Sequence, residues 1–303
     1  MATLDVSLGS HHLATPLVAA AGTVGSVIEF ADTVDFSRYG AAVAKSVSPE
    51  PWTGRPAPRI GAVDTGMLNG IGIQNPGIDA WLEDIGSAFS DLSVPVWGSA
   101  VAHDVEGFGL VAAAMDRSDV AAIEINLSCP NLDGMPFALD AHLSGRVVEG
   151  VRAATNKPIG AKLSPDASSV VEVAAAVATA GADWVVMGNT AMGAAIDPHT
   201  RRPVLSGVIG GYSGSPLRPI AVRCVLDISR AMPDLPIVGC GGVSTADHVV
   251  EYLLAGASAV GIGSAHFDRP RVADRIVRDL DRYMTRNGIT NLLELKGAYE
   301  PWT

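Results

Sequence analysis

The chain has 303 residues, 48% hydrophobic and only 17% charged, enough apolar material for one large core or two ordinary domains, and this composition excludes a disordered or fibrous chain. Its formal net charge of -11 repels phosphate backbones, so nucleic acid is not an expected partner. The three cysteines, Cys129, Cys224 and Cys240, form no CxxC pair. That excludes a disulfide framework and an iron–sulfur cluster held by this chain alone, and it makes a reduced, cytoplasmic setting the expectation.

Residues 1–16 carry neither a basic leader nor an apolar run, so no signal peptide is expected; no later apolar run reaches the roughly 20 residues that a bilayer takes. Short apolar, β-branched runs then alternate with helical spacing, at 17–21, 41–46, 94–100, 121–126, 159–163, 184–188, 237–239 and 259–262. Near-continuous apolar strands of this kind suit a parallel sheet buried on both faces. Between the fifth and sixth runs, 168–179 reads as a packed helix, interrupted by Glu172 and ended by Gly181. After the seventh run, Ser244 with Asp247 three residues on predicts a helix cap; Val249, Val250, Leu253 and Leu254 form its apolar stripe and Gly256 ends it. Eight such repeats without a linker predict an α/β fold, a single-domain (β/α)8 TIM barrel over residues 1–303, with a doubly wound sheet as the alternative that strand counting leaves open. Two long stretches, 48–76 and 192–219, read as irregular, and in a barrel they lie over the C-terminal mouth.

Polar residues collect where the runs end: Lys45 at the second, Asn126 at the fourth with Cys129 just beyond, Lys162 at the fifth, and Asn189 and Thr190 at the sixth. Gly241 and Gly242 follow the seventh run, and Gly263 and Ser264 the eighth. A barrel brings all these ends to the face where active sites are built. The chain has only four lysines, Lys45, Lys157, Lys162 and Lys296, yet Lys45 and Lys162 sit in apolar runs. Either they snorkel to solvent, or they face an anionic ligand or an electron-rich ring. The turns GCGGV and GIGSA on adjacent strands suit a phosphate, although glycines also serve tight turns. Cys129, in NLSCPN, is either a small packed hydrophobe or, beside Pro130 and flanked by Asn126 and Asn131, an acid, base or nucleophile. Cys224 and Cys240 read as structural, and His11 and His12 as exposed. The histidines show no metal-ligand spacing, so no metal is expected, and there is no GxSxG elbow, P-loop or GxGxxG after a strand.

The segments AAAGTVG, AKSVSPEPWTGRPAPRI, GMLNGIGIQNPG, IEINLSCPN, AKLSP, GNTAMG, GGYSG, GCGGV and AGASAVGIGSA resemble dihydroorotate dehydrogenase, in that family's order and over nearly the whole chain. NGIGIQNPG and NLSCPN are the most specific. The likeness is strongest to the soluble class-1 group with a cysteine base, in the NAD-linked (1B) branch. The resemblance implies a cytoplasmic, FMN-dependent flavoprotein that oxidises (S)-dihydroorotate to orotate in pyrimidine (UMP) biosynthesis. It also implies a homodimer, with an FAD/iron–sulfur electron-transfer subunit as partner and with neither nucleic acid nor membrane. Of the electron acceptors, NAD+ reached through that subunit is favoured over a soluble acceptor used directly. FMN would touch Ala21, Gly22, Lys45, Ser46, Ser99, Asn126, Lys162, Gly188, Gly214, Gly241, Gly242, Gly263 and Ser264. The substrate would meet Lys45, Asn69, Gly70, Ile71, Gly72, Ile73, Asn126, Asn189 and Thr190. Cys129 would be the catalytic base, working beside Lys45.

Three positions depart from the family pattern. Ser99 stands where Asn is frequent, Gly188 where a larger apolar residue is expected, and the loop after Cys129 is slightly shorter. They bear on substrate fit. The competing readings are another FMN barrel acting on dihydropyrimidines or dihydrouridine, and a non-catalytic phosphate-ligand-binding barrel. The acidic charge argues against an RNA substrate, and Cys129 with the two lysines argues against simple phosphate binding.

Overall fold

The computed structural model describes residues 3–86, 88–128 and 136–302. A hairpin of β1 (Val6–Leu8) and β2 (His11–Leu13) opens the chain. The barrel strands follow: β3 (Leu17–Ala19), β4 (Ala41–Val43), β7 (Val96–Ala100), β8 (Ala122–Asn126), β9 (Ile159–Leu163), β10 (Trp184–Met187), β13 (Ile237–Cys240) and β14 (Ala259–Ile262). They pair in parallel in that order, and β14 closes on β3. Every residue of these strands is buried, because side chains fill one face and helices cover the other. The closed barrel decides against the doubly wound alternative. All eight predicted runs are its strands, but the second ends its ladder at Val43, so Lys45 and Ser46 stand beyond the strand rather than at its last position.

The helices are α1 (Ile78–Asp84), α2 (Val105–Asp116), α3 (Ala141–Ala154), α4 (Val170–Thr179), α5 (Arg218–Ala231), α6 (Ala246–Leu254), α7 (Ala265–Asp268) and α8 (Val272–Asn287). Asp104, Asp140 and Ser169 cap α2, α3 and α4 by accepting a backbone N–H in the first turn. The cap of α6 is Thr245, not Ser244 as the sequence predicts. Thr245 holds the extended conformation that turns its hydroxyl onto the His248 N–H, while the Ser244 N–H donates to His248 Nδ1 at 3.2 Å. Gly256, at φ +109, turns the chain out of α6 where an added Cβ would stand 1.9 Å from Ser229 Oγ. Among the described residues, no helix is long and apolar enough to cross a membrane.

Two expectations need correction. The stretches read as irregular contain β5 (Ile60–Ala62), β6 (Met67–Asn69), β11 (Ala191–Ala194) and β12 (Ile209–Ser213), which form an antiparallel sheet in the order β11-β12-β6-β5. These strands are short and glycine-broken, and their pairing partners are remote, so no local alternation marks them. His11 is not exposed: its ring meets Trp184 edge-on at 5.4 Å, under the N-terminal end of the barrel. Trp184 in turn packs on Trp97 at 4.8 Å. Gly160 makes room for this, since a Cβ there would lie 2.3 Å from the Trp184 indole nitrogen. His12 is the exposed member of the pair, with a side chain 68% accessible.

His266 of α7 is buried between Tyr39, whose hydroxyl lies 2.7 Å from Nε2, and Thr23, whose Oγ1 lies 3.0 Å from Nδ1. Thr23 donates to the Ala20 carbonyl, so its oxygen is free to accept from Nδ1–H, and Nε2 accepts from Tyr39. Burial lowers the His266 pKa to about 4. The folded value lies below the unfolded value of about 6.5, so the stability it contributes is complete above pH 6.5 and is lost as the pH falls towards 4, about 3 kcal/mol in all. Urea unfolding followed from pH 7 to pH 4 is expected to show this loss, and His266→Gln to flatten the curve by a similar amount.

Candidate active site

The parallel strands deliver their C-terminal ends to one mouth, and a cavity of about 890 Å³ opens there under the four-stranded sheet. Ala21, Gly22, Lys45, Asn69, Ile71, Gly72, Ile73, Asn126, Lys162, Gly188, Asn189, Thr190, Gly214, Gly241, Gly242, Gly263 and Ser264 all line it. Ser46 and Ser99 stand behind this wall, Ser99 fully buried. Gly70 faces the Arg55 guanidinium, 3.3 Å from where a Cβ would be. Cys129 lies outside the described residues, as do the residues that follow it up to 135.

One hydrogen-bond chain joins four strand ends, those of β7, β4, β8 and β10. Ser99 and Ser46 share a 2.8 Å contact between hydroxyls, and the Asn126 amide donates to Ser46 at 3.2 Å. Ser128 donates to the Asn126 carbonyl oxygen at 2.6 Å, and the Asn189 amide donates to Ser128 at 2.6 Å. The Asn189 oxygen accepts the Thr190 N–H at 2.8 Å. Each amide is thus fixed in orientation, which a site reading the edge of a heterocycle requires. From the sheet above, the Asn69 amide donates to the Gly211 carbonyl at 3.3 Å, and Thr190 fills the space left by the missing Gly211 side chain. The small Ser99 is accommodated by its contact with Ser46. Gly188 stands close to Pro165, whose Cδ lies 3.4 Å from where a Cβ would be.

The two lysines both reach the cavity and do not snorkel away. Burial, and then the Lys162 charge, lower the Lys45 pKa to about 8. Lys162 pairs with Glu124 at 3.6 Å, and the two side chains are 7% and 2% exposed. Burial pushes the Glu124 carboxyl up, with Lys162 opposing. Cys240, read from sequence as structural, is buried and also stands on the cavity wall; burial raises its thiol pKa and Lys162 pulls it back. Sequence reasoning missed Glu124, Ser128 and Thr23. For Glu124 the signal was present: a strand period of two puts it on the inward face with Asn126, whose pairing partner on β9 is Lys162.

The glycine turns leave room for a ligand. A Cβ on Gly22 would meet nothing within 4 Å, and one on Gly263 only Thr23 Cγ2 at 3.9 Å. Gly242, at φ +67, is required by the fold itself, because a Cβ there would lie 2.9 Å from the Gly214 carbonyl oxygen.

The sequence pattern described as dihydroorotate dehydrogenase matches residues 3–284. The chain belongs to the dihydroorotate dehydrogenase family. It is 41% identical over 300 residues to the dihydroorotate dehydrogenase B (NAD(+)) catalytic subunit of Geobacter sulfurreducens, covering 98% of each chain. Identity to the protein of the same name from Alkaliphilus metalliredigens is 36% over 297 residues, or 97% of this chain and 98% of that one. The crystal structure of the Eimeria tenella dihydroorotate dehydrogenase in complex with ferulenol superposes with a TM-score of 0.81 at 21% identity, covering 97% of this chain and 88% of that one, and shares the fold.

In this dihydroorotate dehydrogenase family barrel, Ser128 is the residue through which Asn126 and Asn189 are tied together. Ser128→Ala removes one donor to Asn126 and one acceptor from Asn189, which is expected to cost about 1–3 kcal/mol in denaturant unfolding. A loss below a few tenths would show that water takes over both contacts.

Proposed function

We propose that this chain is the catalytic subunit that oxidises (S)-dihydroorotate to orotate, with FMN as its cofactor. The observation that carries the reading is the convergence of two buried lysines, a fixed chain of amides and open glycine turns on one cavity. A cavity of about 890 Å³ is within the size range of cofactor and small-ligand sites. The donor set fits a flavin: open turns at Gly22 and Gly263 for a phosphate arm, and the Lys162 ammonium for the electron-rich edge of the ring. A bound FMN would supply the acceptor for the hydride that the substrate gives up.

The chain's own residues bind, orient and move the proton. Lys45 pairs with the substrate carboxylate. Asn69, Asn126 and Asn189 satisfy the donors and acceptors of the pyrimidine edge, with Thr190 and the 70–73 backbone beside them. Cys129, as thiolate, takes the C5 proton. A partner subunit with FAD and an iron–sulfur cluster would supply the route for the electrons to NAD+, in a cytoplasmic assembly built on a homodimer. Names of the curated relatives support this branch, since each is called the catalytic subunit of an NAD(+) enzyme.

Two measurements test the reading. The purified chain is expected to be yellow and to bleach when mixed anaerobically with dihydroorotate. Cys129→Ala is expected to keep flavin and orotate while slowing that bleaching by roughly 100-fold or more; a wild-type rate in that variant removes Cys129 from the role of base. Gly263→Asp, which the surrounding space accepts, is expected to give folded but colourless protein, and full colour would remove the phosphate from that turn.

Lys45 gives a pH signature. Its ammonium is charged below about pH 8 and neutral above, so the affinity for orotate is expected to fall as pH rises through 8. Lys45→Ala is expected to bind orotate weakly at every pH. A wild-type dissociation constant that stays level from pH 6.5 to 9.5 would remove Lys45 as the carboxylate partner.

A further inference from the structure

The buried pair beneath the cavity is not used by the reaction as described. Glu124 projects into the barrel interior two residues before Asn126 and is 2% exposed. Its carboxylate does not line the cavity, whereas Lys162 does, so Lys162 stands between Glu124 and whatever the cavity holds. Glu124 Oε1, 3.6 Å from Lys162 Nζ, has no hydrogen-bond partner among the described residues. A carboxylate so placed gains little stability, because desolvating two charges offsets most of their attraction. Its effect falls on the lysine.

Among the described residues, the groups facing Lys162 are Glu124 from β8, Cys240 from β13 and the Lys45 ammonium beyond β4; the other inward neighbours, Ser99 and Trp184, carry no charge. Without Glu124, two ammonium groups would share a buried space with no carboxylate beside them among the described residues, and one would give up its proton.

We propose that Glu124 is a positioning residue that keeps the Lys162 ammonium charged and in place at the floor of the cavity, and so fixes the positive field against which the flavin is reduced. This rests on the flavin reading above. Glu124→Gln preserves size and can still accept from Lys162, but it removes the charge.

The readout is the midpoint potential of the bound flavin, measured by equilibration with a reference dye from pH 6 to pH 9.5. In Glu124→Gln the potential is expected to fall more steeply with pH than in the wild type. By pH 9 the ratio of reduced to oxidised flavin should be at least tenfold lower at equal dye poise, about 30 mV for a two-electron couple. A parallel offset at all pH values, or a wild-type slope, overturns the proposal. A second comparison guards against misfolding: Lys162→Met alone against Lys162→Met with Glu124→Gln. With Lys162 gone, Glu124 has no lysine to act through and the two variants should share one potential; a difference of tenfold or more in the ratio means that Glu124 acts without Lys162 and overturns the proposal. Flavin content of the wild type is recorded first, so that a colourless wild type counts against the flavin reading, whereas a yellow wild type with unshifted variants counts against the role of Glu124.

Discussion

The chemistry at the mouth depends on the packing of Trp184 against Trp97 inside the barrel. Those two indoles, with His11 beneath, fill the N-terminal half of the interior with apolar volume. What remains above is a small, water-poor space that the inward residues of the next layer must share. Among those inward residues are Glu124, Lys162, Ser99, Cys240 and Asn126, all of them buried. A low-dielectric floor makes each charge count for more than it would in water, which is why one carboxylate can govern a lysine and why Lys45 is displaced from its ordinary pKa. Gly160 is the sequence's concession to this arrangement, since a methyl there would push Trp184 out of line.

Much of this was legible in the chain. Parallel strands buried on both faces read as continuous apolar runs, and the eight runs were the eight strands. The strand-end polar residues converge because parallel strands must all point the same way; Lys45, Asn126, Lys162, Asn189 and Gly263 reach one cavity for that reason alone. Three things were not legible. The hydroxyl of Thr245 rather than Ser244 caps α6 because backbone angles, not residue type, decide between adjacent candidates. His11 is covered because Trp184 lies more than 170 residues away in sequence, and contact at that separation leaves no local trace. The sheet over the mouth is built from strands of three to five residues, whose only justification is each other.

The departures at Ser99 and Gly188 are absorbed by neighbours rather than by the cavity. Ser46 accepts from the Asn126 amide and bonds to the Ser99 hydroxyl, so the chain of amides is continuous with a shorter side chain at its root. Gly188 brings the backbone of the β10 end against Pro165 and leaves Asn189 and Thr190 on the wall of the cavity. Asn126 is therefore held between Ser46, a hydroxyl behind the cavity wall, and Ser128, which belongs to both the wall and the network and also holds Asn189.

The sheet that roofs the cavity also sets an order of events in the making of the protein. Asn69 on β6 bonds to Gly211 on β12, 142 residues further along. Of the early roof strands, β5 pairs with β6, but β6 has no second partner until β12, which follows six of the eight barrel strands, has been synthesised, and pairings of such span are slow to form. The roof is thus among the last parts to be completed, after the strands that carry the lysines and amides are able to pair. A ligand that contacts both the barrel ends and the roof would bridge two units distant in sequence, so that its binding would favour the closed roof.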